Sequence, residues 1–434
     1  MNLSKWKPLF LLALVLSFAT PPLLAKSISL PFPQDYKTVY DYLDMGEFAE
    51  LASIAEMQIK KGGKVDPKWY EYLAIAKIHD DLNKDAFKAF TPARMAARMQ
   101  PNNAHALSTL ALVLCFMQKS EVAVDLARKA CAKDPKDGRN HAILAYSMAL
   151  MDQGDPVAAE EMKMARKLSP GDLDVNFVDD IYSTITAQDK GIDAALARWL
   201  KYRPKSAYVY FRLCDFHKDT HEDNKSVLEA QKALQINPGF EAPARVLART
   251  YYERKQWQKG VDLLTSVLKH KPGTYHTHGR LGQFYAELNQ PQKAIEHLNT
   301  AIKLILPEGD PNKFYRAARK IEKNNLYFYT TWWQARATQY AKAGQFEKGV
   351  SSLSDLLSVL PDNSLAVYTR SQVFMHAKKY EQALRDLNAL VIMDPDVPEW
   401  YKAKIDVLKK MGKNVEAAKV QKEHFAVEKY GSKN

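Results

Sequence analysis

Eleven prolines stand on a ladder. Pro33, Pro67, Pro101, Pro135, Pro170, Pro204, Pro238, Pro272, Pro307, Pro361 and Pro395 are spaced by 34 residues, with two steps of 35 and one of 54. A period of this size is one supersecondary unit stacked on its neighbours. Each unit touches only the next, so a chain of 434 residues needs no single central core.

Within a period the apolar residues recur at helical spacing. In residues 275–306 the first helix carries Leu281, Gly282 and Tyr285, the second Ala294, Leu298 and Ala301, with Asn289-Gln290-Pro291 between them. Small residues fall where two helices must approach closely. The ladder proline ends the second helix and turns the chain into the next unit.

These residues resemble the tetratricopeptide repeat family. Its pattern reads here as His278, Leu281-Gly282, Tyr285, Ala294, Leu298, Ala301 and Pro307, the proline one residue late. Further copies run Trp333, Ala337, Tyr340, Gly344, Phe346, Leu353, Pro361, and Phe374, Tyr380, Ala383, Leu387, Pro395. An earlier copy is Leu110-Ala111, Leu114, Ala123, Ala127, Ala130, Pro135. The resemblance implies an all-α, right-handed superhelical solenoid of about ten to eleven helix pairs.

The expected organisation is a signal at 1–25, a linker at 26–33, a repeat array over 34–306, an insertion at 307–329, and a second array over 330–430 closed by a capping pair. Residues 36–100 and 173–203 are degenerate. Thr91-Pro92 predicts a split second helix, with Thr91 as its cap. Asp179-Asp180 stands where Leu-Gly belongs and predicts one exposed acid. Asn312 to Lys323 is either an added basic helix or an excursion from the stack. The aromatic run Tyr327-Phe328-Tyr329 either covers a neighbouring groove or presents a partner patch.

The first 25 residues read as an export signal: Lys5 and Lys7, an apolar run from Leu9 to Phe18, Pro21-Pro22, and Leu23-Leu24-Ala25 before Lys26. A periplasmic or secreted location follows, with a membrane anchor over residues 9–25 as the alternative. The net charge of +12 falls to +10 without that segment. The excess favours acidic partners, and export argues against nucleic acid. Three cysteines, Cys115, Cys131 and Cys214, are too few for a disulfide framework and read as free thiols.

In the family, positions 2, 5, 9 and 12 of each first helix line the concave face. Carried over, the resemblance implies a binding surface of Tyr208, Phe211, Asp215, Lys218, Arg245, Arg249, Tyr252, His276, Gln283, Gln334, Thr338, Tyr368 and Gln372. Arg245 and Arg249 lie one turn apart and suit a carboxylate of an extended peptide. The alternative occupant is an anionic polysaccharide or envelope polymer. His276-Thr277-His278, near His270, lacks the residues to complete a metal site. No catalytic constellation or cofactor motif stands out, so the expectation is a non-catalytic scaffold binding a protein or peptide, without cofactor.

Overall fold

The computed structural model describes residues 36–61, 65–80, 86–186, 189–305 and 323–430. The expected signal, the linker and residues 307–322 of the insertion lie outside these, as do the side chains of Tyr327, Phe328 and Tyr329. Among the described residues all regular structure is helical, in eleven successive pairs. Two units divide the chain, residues 1–205 and 206–434.

The first unit holds α1 (Tyr36–Met45) with α2 (Phe48–Lys60), α3 (Lys68–Asp80) with α4 (Ala86–Met99), and α5 (Ala104–Phe116) with α6 (Ser120–Lys133). It ends with α7 (Gly138–Ala149) and α8 (Pro156–Leu168), then α9 (Leu173–Ile185) and α10 (Asp189–Tyr202). The second unit holds α11 (Ala207–Asp219) with α12 (Asp223–Ile236), α13 (Glu241–Glu253) with α14 (Trp257–His270), and α15 (Tyr275–Glu287) with α16 (Pro291–Ile305). It continues with α17 (Lys323–Lys342) and α18 (Phe346–Val359), α19 (Ser364–His376) and α20 (Tyr380–Met393), and α21 (Pro398–Lys410) and α22 (Asn414–Tyr430). The backbone of α17 runs without a break from Lys323 past residue 330, so the end of the expected insertion is the start of a repeat helix.

Local chemistry sets these boundaries. Two residues after a ladder proline stands an N-cap whose side chain accepts a backbone N–H: Asn103, Asp137, Asp172, Ser206, Thr274 and Asn363. Between the helices of a pair the chain passes through the left-handed region at Gly46, Gln118, His221, Lys255, Asn289, Gly344, Lys378 and Gly412. There the N–H of Lys119 bonds Leu114 O at 2.9 Å, and that of Lys255 bonds Tyr252 O at 3.0 Å. Such bonds satisfy the last carbonyls of the first helix.

Packing explains the family-like small residues. A Cβ on Gly282 would lie 2.5 Å from Leu298 Cγ, and one on Gly279 would lie 2.2 Å from the Trp332 ring. Trp332 and Trp333 are buried with Leu298, Ala301, Ala337 and Leu353 in one cluster of the second unit.

Two local expectations are corrected. Helix α4 is continuous through Pro92, which is buried with Ala89, Ala93, Ala96 and Ala97. The alanine face holds the helix together despite the N–H that proline lacks. Asp179 and Asp180 are both fully buried. Asp179 accepts two bonds from Arg166, at 2.5 and 3.0 Å, and one from Arg198 at 2.6 Å. Two guanidinium groups take the place of the Leu-Gly contact.

Candidate functional site

Four residues after successive ladder prolines stand Glu71, His105, Arg139 and Asp174, one on each of α3, α5, α7 and α9. They form a single polar row, buried at Glu71, Arg139 and Asp174 and partly exposed at the His105 edge. His105 Nδ1 lies 2.5 Å from Glu71 Oε2. Arg139 donates from Nε to Asp174 Oδ2 at 2.6 Å, from Nη1 to His105 O at 3.2 Å and to Ser108 Oγ, and from Nη2 to Thr109 Oγ1 at 2.9 Å. The row ends on α1, where Tyr40 donates its hydroxyl proton to Asp174 Oδ2 at 3.3 Å. Arg139 and Asp174 are each 1% exposed.

Burial and the neighbouring charges set the protonation of this row. Burial, then the Arg139 charge, holds the His105 imidazole neutral, with a pKa lowered to about 3. Burial pushes the Glu71 carboxyl up to about 7 against the opposing pull of Arg139. Their contact is therefore a hydrogen bond to a neutral ring rather than an ion pair. Burial also works to raise the Asp174 carboxyl, but Arg139 outweighs it and keeps that group below the usual range.

The first unit is folded in on itself. His79 of α3 and Phe177 of α9 have ring centroids 4.1 Å apart, and Phe177 also meets Phe116 of α5 at 6.4 Å. In an open stack the α3 and α9 axes would be separated by three steps of roughly 8–10 Å. Helix α1 fills the remaining space: Leu43 is fully buried, Asp44 pairs with Arg203, and the Arg203 guanidinium lies 5.7 Å over the Tyr40 ring. The inward wall expected to stand open is occupied here by the chain's own first helix.

The expected binding residues all lie in the second unit, and the structure separates them. Tyr208 is 1% exposed and Gln334 9%, so both are packing residues and present no surface to a partner. Phe211 is half-buried, edge-on to Phe240 at 5.5 Å, and Asp215 is half-buried near it on α11. Lys218 is paired with Asp223 at 2.8 Å. Arg245 and Arg249 are both exposed, and Arg249 is committed to Glu253 at 2.8 Å. Tyr252 lies against Trp257 and Phe284, beneath Arg280 at 5.4 Å, and donates to Glu287 Oε1 at 3.0 Å. His276 is half-buried beside Tyr275 and Trp332. Thr338 is exposed and bonds back to Gln334 O at 2.9 Å. Gln283 is half-buried, and its Oε1 has no hydrogen-bond partner among the described residues.

A cavity brings Tyr368 and Gln372 together. With Met375 of the same helix they line one wall of an open depression of about 280 Å³; Glu399, Lys402, Ala403 and Asp406 of α21 line the other. Tyr368 leans on Trp400 with ring centroids 4.8 Å apart. The α21 residues were missed, although the same four positions counted from Pro395 give Glu399, Lys402 and Asp406, with Lys409 as the fourth. Counted from the earlier prolines, the rule also reaches the buried row of the first unit.

The His276-Thr277-His278 segment forms no metal cluster of three or more ligands among the described residues; His278 Nδ1 meets His297 Nδ1 at 3.0 Å instead. All three cysteines are free, with Cys115 and Cys214 buried and Cys131 half-buried.

The Tetratricopeptide repeat family profile matches residues 335–398. Superkiller protein 3 of Schizosaccharomyces pombe (strain 972 / ATCC 24843) is 21% identical over 237 residues, 49% of this chain and 16% of that protein; the match therefore spans a small part of that relative's length. YrrB, described as a TPR protein with an unusual peptide-binding site, is 17% identical over 48% of this chain and 97% of its own, with a TM-score of 0.40. A chain of the APC/C hetero-tetramer Cut9-Hcn1 is 10% identical over 90% of this chain and 92% of its own, with a TM-score of 0.39. MamA from Desulfovibrio magneticus RS-1 is 14% identical over 43% and 93%, with a TM-score of 0.34. Residues 335–398 match the tetratricopeptide repeat by sequence, and the same helix–turn–helix plan recurs in the other described pairs.

Proposed function

We propose that the protein is a non-catalytic scaffold that holds an extended peptide segment of a partner protein against the first helices of its second unit. One observation carries this reading. The depression between α19 and α21 has an apolar part, from Tyr368 and Met375, and polar groups at its edge, from Gln372, Glu399 and Lys402. A side chain anchored on the aromatic ring, with a backbone bonded to the amide, is how such grooves take peptides. The first unit is left out of the binding surface, because α1 fills its inner side. The expected guanidinium clamp of Arg245 and Arg249 is left out as well, since Glu253 already engages Arg249. Export through residues 1–25 belongs to the same proposal and rests on the charged start and apolar run of that segment.

The test is selection of peptides from a random display library on the full chain, followed by affinity measurement. Tyr368→Ala is expected to weaken the selected peptides about 30-fold, the loss of an aromatic anchor. Equal affinity of wild type and variant overturns the peptide groove. A ligand whose affinity collapses between low and moderate salt, regardless of Tyr368, identifies a polyanion such as an anionic polysaccharide instead.

A further inference from the structure

Away from that groove, three metal-binding side chains converge in the first unit. Cys131 comes from the last turn of α6, His141 from the first turns of α7, and Glu161 from the middle of α8. The thiol sulfur, an imidazole nitrogen and a carboxylate oxygen all lie within 4.8 Å of one another. None of the three is fully buried, so the group is reachable from solvent. We propose that Cys131, His141 and Glu161 bind one divalent transition-metal ion, with zinc the best chemical match.

The hydrogen bonds around His141 carry this proposal. Its Nε2 lies 3.0 Å from the carbonyl oxygen of Pro135, an acceptor, so Nε2 holds a proton. Its Nδ1 lies 2.6 Å from Glu161 Oε2, which is also an acceptor. A lone pair on Nδ1 cannot face a carboxylate at that distance, so a positive species must sit between the two atoms. In the metal-free protein it is a proton. A metal ion fills the same need once the two ligands move apart to accommodate bonds of about 2.0–2.2 Å. Donation of the far ring nitrogen to a carbonyl is also the arrangement that orients a ligating histidine and fixes its tautomer.

The rest of the surroundings favour a cation. Glu161 makes no ion pair with Lys or Arg among the described residues. The Glu161 carboxylate lies within 4.8 Å of the Cys131 sulfur, and Asp137 caps the helix that carries His141. Asp137 itself is occupied as the cap of α7, accepting from Arg139 N at 3.0 Å, and is not counted as a ligand. The C-terminal end of α6 adds its negative dipole end beside Cys131. One sulfur, one imidazole and one carboxylate suit zinc better than calcium or magnesium, which prefer oxygen alone. Three protein ligands leave a fourth position for water or a partner's side chain. On binding, the proton between Nδ1 and Oε2 and the thiol proton of Cys131 both pass to solvent, and no electron is transferred.

The test uses the reduced, metal-free full chain titrated with cobalt(II), whose charge-transfer absorption reports thiolate ligation, and then with zinc in competition. One equivalent of cobalt is expected to bind with a thiolate band, and one equivalent of zinc to abolish it. Cys131→Ser should remove the band entirely. Glu161→Gln, a change at a half-exposed position that leaves the helix intact by circular dichroism, should weaken binding at least tenfold. The proposal is overturned if no thiolate band forms at saturating cobalt. It is equally overturned if the band survives in Cys131→Ser, which would place the metal on another cysteine, or if Glu161→Gln binds as tightly as wild type.

Discussion

Arg139 and Glu71 show what a single side chain does to the first unit. Arg139 is a fully buried guanidinium whose donors are spent on Asp174, His105, Ser108 and Thr109. Removing it strands the Asp174 carboxylate. Arg139→Met should therefore cost about 3–5 kcal/mol, and Arg139→Met with Asp174→Leu should recover part of that loss. Urea unfolding of the two variants checks the pair. Glu71 gives a pH signature. Its carboxyl rises from an ordinary 4.5 to about 7 in the fold, so the folded state holds the proton more tightly. Its stabilising contribution is complete below about pH 4.5 and is lost as pH rises through 7. His105 acts in the opposite direction, because its pKa falls to about 3; its cost grows below 6.5 and fades over about one pH unit above, offsetting part of the Glu71 decline. Between pH 6.5 and 8 stability should therefore decline with pH. The Glu71 share is under about 1 kcal/mol. His141, raised by its bonds to Glu161 and Pro135 O despite partial burial, adds to the same decline. Glu71→Gln should make the slope shallower without removing it, as read from melting temperatures across that window. An unchanged slope would mean that Glu71 is ionised throughout.

At the level of helices, much was legible because the chemistry is local. The proline ladder with a side-chain cap two residues later marks the start of six first helices, among them those capped by Asn103 and Asn363, while Phe240 after Pro238 offers no such cap. The Leu281-Gly282 step marks where the two helices of a pair meet. Pro92 was misread for a tertiary reason: a face of buried alanines outweighs one missing hydrogen bond. Asp179 was misread because its partners, Arg166 and Arg198, come from two other helices and no spacing rule links them. The site was less legible than the fold. A position rule can place Tyr208 on an inner face, but it cannot say that neighbours will cover it. The same positions counted from Pro395 fall at Glu399, Lys402 and Asp406, which line the depression between α19 and α21. Gly279 offers a test of helix contact. A methyl there would meet the Trp332 ring at 2.2 Å, against a side chain packed on all sides. Gly279→Ala should destabilise the second unit by about 1–3 kcal/mol through overpacking, although alanine is the better helix former. A gain in thermal stability would show that Trp332 has room to move.

Across the molecule, the same repeat plan has two outcomes. In the second unit a depression between first helices stays open; in the first unit the row from Glu71 to Asp174 is sealed by α1. The sealing contacts are long-range in sequence: Tyr40 to Asp174 spans 134 residues and Asp44 to Arg203 spans 159. These contacts tie an end helix of the unit to its far repeats, and an end helix held this way is expected to open before the repeats it covers. Apolar burial of Val39 and Leu43 gives the lasting part of the attachment, and the charged pair, only partly buried, supplies a smaller share. Asp44→Asn together with Tyr40→Phe should therefore loosen α1 without unfolding the unit. Hydrogen exchange should speed up about tenfold in residues 36–45, roughly 1.4 kcal/mol of local stability. Exchange in the second unit should stay as in wild type. Protection that is unchanged in residues 36–45 would show that apolar contacts alone hold the helix. Faster exchange spread evenly through residues 36–205 would show that α1 is part of one cooperative core rather than a closure laid over it.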